Sequence, residues 1–530
     1  MRTLGKAIFK QYRSKLLFLQ ILTILNTLVI TFNIYLEGML LNSLVYNQDK
    51  SNFFKILILI ISLSLSRILF TYFVNRIQIL DSRKASLDAN NLVIKNLYSK
   101  DTLEILKNDP IKLTDQLNDD IYAIITFLFE TVSQIVSLIL SFAIIFVFLV
   151  RTNPIYFWII LGLLAVYTIC YFFLKPRMYE VSLRLKNIYN IYFSGLSDWF
   201  SRYVEIKGKG TFNQNQANLN KVETKLLKIG KKDFTLNYAM SVLQIGIQLI
   251  FQIFLFVWGG LAVIAGRITI GYFSIILQYF NQLLTHADSL FSILVKLEAT
   301  NVSYKRMSTL LEIKAQKDGD LKLNSVQSID LKGVNISLGQ DKYLFDNTVS
   351  YKFQAPGLYA ITGKNGVGKS TLLRTISGIY NSQILGDILI NGNICEKVDR
   401  QDLRKNKMSF VFQDTGIPTC SVGEYLGQQL KEGDSNFTKV FYSEKFNIEK
   451  LLATPMDHLS SGELQLVKLY SALTKENVDC LFLDEPLANI HPSMKKDIIK
   501  LLQKVAQDHL IIMISHDQED NLGEKRLEIC

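Results

Sequence analysis

A chain of 530 residues exceeds what one hydrophobic core ordinarily organises, so two domains are expected. Apolar residues make up 49% and charged residues 20%; the apolar ones gather as long runs in roughly the first 300 positions, which points to a bilayer and away from a wholly soluble protein. The formal charge of +11 does not select nucleic acid, because no basic, aromatic-interleaved patch stands apart from the apolar runs, and excess Lys and Arg also hold loops at the inner face of a membrane.

The N-terminal segment MRTLGKAIFKQYRSK is basic, but the apolar stretch behind it is far longer than a signal-peptide core and carries no A-x-A-like cleavage signal. It is expected to persist as a first helix. Stretches of about 20 apolar residues, the length that crosses a bilayer, recur at about 16–44, 53–80, 121–150, 155–177, 234–265 and 272–295. Several are longer than that, which predicts helices that continue out of the membrane into the polar connections 81–120 and 178–232. Those connections are rich in basic residues such as Lys95, Lys107, Arg184 and Lys228, whereas the short connections near 45–52, 151–154 and 266–271 hold Lys50, Arg151, Arg267 and little else basic. By the positive-inside rule both termini and both long connections are cytoplasmic.

In the fifth span Gln244, Gln248 and Gln252 recur every four residues and so form one polar stripe. Polar groups in hydrocarbon are costly unless wet or paired, so the stripe should face a cargo cavity or another helix, and Gln278, Asn281 and Gln282 of the sixth span could face the same way. Interhelical hydrogen bonding is the alternative. Glu130 lies early in its span and is expected in a cytoplasmic extension or near the headgroups; Trp158 and Trp258, near span ends, fit interfacial anchoring.

From about residue 308 the chain turns polar, and 308–327 reads as a linker. Beyond it, short β-type runs (GLYAIT, KMSFVFQ, VDCLFLDE, HLIIMISH) alternate with helical segments, the pattern of an α/β domain with a largely parallel sheet. The expected whole is a multidomain membrane protein: an all-α six-helix transmembrane domain over 1–307, then an α/β P-loop ATPase domain over 328–530. Cys170, Cys395, Cys420, Cys480 and Cys530 form no CxxC pair and read as reduced structural thiols.

The sharpest motif is GKNGVGKS, which comprises Gly363, Lys364, Asn365, Gly366, Val367, Gly368, Lys369 and Ser370. It stands directly after GLYAIT and before a helical segment opening at Thr371, the strand–loop–helix setting a phosphate loop requires. Glycines let backbone N–H groups turn inward around phosphates at a helix N-terminus, where Lys369 can reach the β- and γ-phosphates and Ser370 can bind Mg²⁺. More than a hundred residues on, the apolar run CLFL ends in Asp484 and Glu485, an acidic pair at the carboxyl end of a buried strand. Asp484 is expected on the metal and Glu485 on the attacking water.

With these motifs the chain resembles, over essentially its whole length, an ABC transporter of the exporter type, six helices fused to one nucleotide-binding domain. LSSGELQ, Leu459 to Gln465, is similar to the family's LSGGQ signature, and implies Ser460 and Gly462 as contacts to ATP held by a second chain. Gln413 matches the glutamine that touches Mg²⁺ and faces the membrane domain, and His516 the histidine that contacts the γ-phosphate. Residues 111–124 and 198–210 resemble the two cytoplasmic coupling segments, and 266–273 the outer turn between the last two helices.

The sequence departs from the family at Ser461 and Glu463, where Gly and Gln are usual, and at His491 in LANIH, where Asp is typical. Leu338 stands where the family has an adenine-stacking aromatic, with Tyr343 and Phe345 as candidate substitutes. The interval from Gln413 to Leu459 is short, as in some small peptide-exporting members, and little regulatory structure is expected after His516. With no peptidase domain ahead of the first span, leader cleavage is not expected. The resemblance implies ATP and Mg²⁺ as cofactors and a second half-transporter as partner, a homodimer in preference to a heterodimer, in the cell membrane with the nucleotide-binding domain cytoplasmic. The implied function is ATP-hydrolysis-driven export of a peptide or amphipathic small molecule by alternating access. An exporter-fold importer and an ATP-gated channel or sensor subunit are the alternatives.

Overall fold

Runs of Leu, Ile, Phe and Val with few breakers form long helices throughout the first 311 residues. The computed structural model describes the chain except for residues 1, 48, 49, 108, 109, 153, 317, 340, 341, 382, 414, 428–447, 516–524 and 530. It divides into two units, Met1–Val93 with Thr114–Leu311, and Ile94–Leu113 with Glu312–Cys530.

In the helical part of the chain five stretches are long and apolar enough to cross a membrane: Ile8–Tyr46, Lys50–Tyr98, Gln116–Thr152, Pro154–Leu174 and Phe212–Ile264. They overlap the first five expected spans. The sixth, 272–295, lies within the helix Ile270–Leu311 but falls short of that apolarity among the described residues. Its polar residues explain the difference. Gln278, Asn281, Gln282, Thr285, Asp288 and Ser289 recur at three- and four-residue spacing along one face. The opposite face, with Ile275, Ile276, Tyr279, Phe280, Leu283 and Leu284, is buried, and Phe280 stacks on Phe251 at 3.7 Å between ring centroids.

Hydrogen bonds join helices where water cannot. Thr27 Oγ1 lies 2.8 Å from Ser137 Oγ, Gln20 Nε2 donates to Ser133 Oγ at 3.0 Å, and Tyr279 OH donates to the Thr31 carbonyl at 3.0 Å. Helices also approach closely at glycine: a Cβ on Gly271 would stand 2.0 Å from the carbonyl oxygen of Gly38. The expected second coupling segment contains a helix end at Ser201, the short helix Tyr203–Lys209 and a left-handed Gly210 before the next long helix, so the chain reverses there.

In the second unit two sheets pack around an aliphatic core. The strands are β1 Ser328–Gly339, β2 Lys342–Tyr343, β3 Val349–Gln354, β4 Gly357–Gly363, β5 Ile384–Ile390, β6 Asn393–Ile394, β7 Met408–Val411, β8 Cys480–Asp484, β9 Leu510–Ile514 and β10 Arg526–Ile529. An antiparallel sheet runs β2–β1–β5–β6, with β3 also on β1; a parallel sheet runs β10–β4–β9–β8–β7. Every residue of β8 and β9 is buried, as continuous apolar runs between two covered faces require. Because β4, β8 and β9 are parallel, the loop after β4 and the acidic end of β8 emerge on one edge of the sheet.

The stretch expected as a linker behaves otherwise. The last long helix runs on to Leu311, and the following residues dock on the second unit: Gly319 N–H donates to the Val398 carbonyl at 2.9 Å and Arg400 pairs with Asp318 at 2.9 Å. Ile94–Leu113 also belongs to that unit, tied by Asp101 N–H to the Lys314 carbonyl at 3.0 Å. Sequence alone could not foresee this, since the two partners lie more than two hundred residues apart.

Candidate nucleotide site

The loop between β4 and the helix Lys369–Ile376 is set by backbone conformations that side chains resist. Gly366 has φ +81° and Gly368 φ +101°, and a Cβ on Gly368 would strike Leu344 at 2.7 Å. Lys364, Asn365 and Gly366 are exposed, whereas Val367 turns toward the core. Lys369, at the first helical position, is 6% exposed, and its ammonium lies across the loop, donating to the carbonyls of Gly363 at 2.8 Å and Lys364 at 3.1 Å. Ser370 and Thr371 follow in the first turn. These N–H groups have no earlier helical carbonyl to bind, and together with the lysine they make an anion cradle.

Ser370 Oγ donates to Asp484 Oδ1 at 3.0 Å, which joins residues 114 positions apart. Asp484 is fully buried, with Arg374 Nη2 3.9 Å from its Oδ2. Arg374 also donates to Tyr380 OH at 3.1 Å and lies over the Phe412 ring. No sequence motif marks it. Its place one helical turn after Ser370 was the available signal, because i and i+4 share a face. A hydroxyl and a carboxylate oxygen side by side are hard donors of the kind Mg²⁺ prefers, so the residues present fit that ion.

Glu485 has a left-handed backbone, φ +48°, uncommon for a glutamate and a conformation that marks functional turns. Its carboxylate accepts from Gln413 Nε2 at 2.8 Å, and its carbonyl accepts from Gln465 Nε2 at 3.2 Å. Gln413, expected beside the metal, is thus engaged with Glu485. His516 lies outside the described residues. Of the candidates for adenine stacking, Phe345 is 3% exposed within the core and unavailable, Tyr343 is exposed, and Leu338's side chain lies outside the described residues.

The signature departures have a structural account. Ser460 is the N-cap of the helix Ser461–Thr474, and Glu463 completes a capping box: Ser460 Oγ accepts from the Glu463 N–H at 3.3 Å, while the Glu463 carboxylate accepts from Ser460 N–H at 2.9 Å and Ser460 Oγ at 2.6 Å. Hydrogen bonds from the Ser460 hydroxyl, then from its amide, hold the Glu463 carboxyl below the ordinary glutamate value. A Cβ on Gly462 would stand 2.8 Å from the Asn489 carbonyl, so only glycine fits without displacing the LANIH turn. In that turn His491 serves as N-cap of the helix Pro492–Val505, its Nδ1 2.8 Å from Ser493 Oγ.

Comparison with known proteins matches both halves of the chain. The ABC transporter transmembrane region model matches residues 16–286 and the ABC transporter model residues 347–488. YxdL of Bacillus subtilis, an ABC transporter ATP-binding protein, is 30% identical over 36% of this chain and 77% of its own length. A probable ABC transporter ATP-binding/permease protein of Haemophilus influenzae is 30% identical over 40% of each chain, and the ribose import ATP-binding protein RbsA of Hahella chejuensis 29% identical over 37% of this chain. The chain spans about two fifths of the length of the latter two relatives. The structure of a bacterial Atm1-family ABC exporter with ATP bound superposes with a TM-score of 0.79 over 98% of this chain and 94% of the other, at 17% identity, and so shares its fold. A helical transmembrane unit and an α/β nucleotide-binding unit therefore occur here in one chain with the fold of that structure, and the chain belongs to the ABC transporter family.

Proposed function

We propose that this chain is one half of an ATP-driven exporter that moves its cargo across the cell membrane by alternating access. The observation that carries the reading is the convergence of Lys369, Ser370 and Asp484 on one sheet edge, with Glu485 at the next position, in the chain that also supplies the membrane helices. Lys369 binds the β- and γ-phosphates, its ammonium exchanging loop carbonyls for phosphate oxygens. Ser370 and Asp484 hold Mg²⁺, which when bound neutralises charge on the phosphates. Glu485 orients the attacking water and accepts its proton, and Gln413, hydrogen-bonded to that carboxylate, reports nucleotide state toward the membrane helices. His516 is assigned to the γ-phosphate by its match to the family.

One chain carries one phosphate loop and one signature, so the working unit is two chains, in our reading a homodimer, with Ser460 and Gly462 of each completing the ATP site of the other. ATP closes the nucleotide-binding units, the segments 111–124 and 198–210 pass that closure to the helices, and hydrolysis resets them. Both termini and the nucleotide-binding unit lie in the cytoplasm, in accord with the basic residues of the long connections. Fusion to membrane helices and the fold shared with an exporter favour export over import.

The test is ATP hydrolysis by the purified full chain in liposomes. Glu485→Gln should lower the rate by about 10²-fold or more while nucleotide binding persists. A rate equal to the parent's would remove Glu485 as the base, and a parent chain without nucleotide affinity would overturn the reading altogether.

A further inference from the structure

Within the membrane unit, a cavity of about 320 Å³ opens between the helices Pro154–Ser201, Phe212–Phe254 and Ile270–Leu311. Among the described residues one charged side chain lines it. Asp288, half-buried, accepts hydrogen bonds from the Tyr167 hydroxyl and the Gln244 amide, both neutral donors, and among the described residues neither Lys nor Arg pairs with it. Tyr167 and Gln244 lie in stretches apolar enough to cross a membrane. A carboxylate there is costly unless a cation answers it, and such residues mark transport paths.

The walls beside it are aromatic. Tyr171 and Phe291 stack at 3.5 Å between centroids, 12° from parallel, and Tyr167 lies 5.7 Å from Phe291. Met178 and Met240 add polarisable thioethers, and the cavity opens at the exposed Ser241 and Ser292. Aromatic faces around a carboxylate attract cations of low hydration, and methionine adapts to varied apolar bodies. An anion would be repelled by the carboxylate.

Resting on the transporter reading above, we infer that this cavity is a cargo site selective for amphipathic organic cations, with Asp288 as its charge anchor and Tyr167 and Gln244 as the groups that position the carboxylate. The glutamine stripe of the fifth span thereby divides. Gln244 serves the anchor, while Gln248 donates to Asn281 Oδ1 at 3.3 Å and joins two helices.

The experiment uses the full chain in phosphatidylcholine nanodiscs, with empty nanodiscs as background, and measures equilibrium binding of tetraphenylphosphonium against tetraphenylborate, an anion of the same shape. The parent should bind the cation saturably, and the anion should neither bind saturably nor displace it. Asp288→Asn should weaken cation binding about tenfold or more, and Asp288→Glu should restore part of it. Affinity for a non-hydrolysable ATP analogue, measured on each preparation, should stay at the parent's value and so report the fold. Loss of nucleotide affinity in the parent would strike at the transporter reading. Intact nucleotide affinity with no saturable cation binding, equal binding of the two ions, or an Asp288→Asn chain that binds the cation like the parent would overturn the cation site. The two-ion comparison on the parent decides the matter even where a variant fails to fold.

Discussion

Lys369 shows how one side chain serves two states. Its ammonium, nearly buried, is satisfied by the carbonyls of Gly363 and Lys364, the rim of the cradle it would leave when phosphate arrives. The loop thus holds its lysine in place, and in the proposed role that lysine supplies affinity by a short movement. Lys369→Ala should reduce nucleotide affinity by about 10²-fold, measured by titration of a fluorescent ATP analogue, with little change in helix content. An unchanged affinity would mean that backbone N–H groups alone hold the phosphates. Glu485, the proposed base, is the complementary case: it is held by its own left-handed backbone and by Gln413, so its position is a property of the turn as much as of its side chain.

At the scale of the element, the signature helix Ser461–Thr474 begins with a closed capping box whose serine is also assigned to a second chain's phosphate. Removing the cap by Ser460→Ala should destabilise that helix end by about 1 kcal/mol, read as faster amide exchange in its first turn. The box also depends on pH. The Glu463 carboxyl is depressed in the folded chain, so its contribution is fully present above the unfolded glutamate value, about 4.3, and is lost as pH falls through the lower folded value. Protection in that turn, measured as exchange relative to the intrinsic rate at each pH, should fall on acidification, and Glu463→Gln should flatten the response. In the membrane unit the helix Ile270–Leu311 is the element on which the bundle turns: one face carries the aliphatic and aromatic core, the other the polar stripe that reaches Asp288. That two-sidedness is also why its composition alone does not mark it as a span.

For the whole molecule, two chains that each contribute half of every ATP site, as proposed above, have a direct consequence. A Lys369→Ala chain and a Ser460→Arg chain should each be inactive alone. Co-assembled, they form mixed dimers in which both lesions fall in one site and the other is intact, so hydrolysis should return to a measurable fraction of the parent rate. No recovery in purified mixed dimers would count against sites shared between chains. The second unit also draws in Ile94–Leu113 from the N-terminal half, so the chain is divided in space at Leu311 and around that segment, and not at one point in sequence.

What the amino-acid sequence by itself determined is what neighbouring residues decide. The phosphate loop between strand and helix, the apolar runs that form five spans, the acidic end of β8 and the serine that caps the signature helix are all written within about twenty residues each, where local geometry dominates. The tertiary structure alone decided the pairings between distant positions: Ser370 with Asp484, Gln413 with Glu485, Arg374 beside Asp484, and Tyr167 and Gln244 around Asp288. It likewise buried Phe345, which the sequence had left open as a substitute for the family's adenine-stacking aromatic. The physical reason is the same throughout. A motif's backbone is set by its own φ and ψ, but the partner of a buried polar group is whichever side chain the packed helices and strands bring to it, and that is settled only when the fold closes.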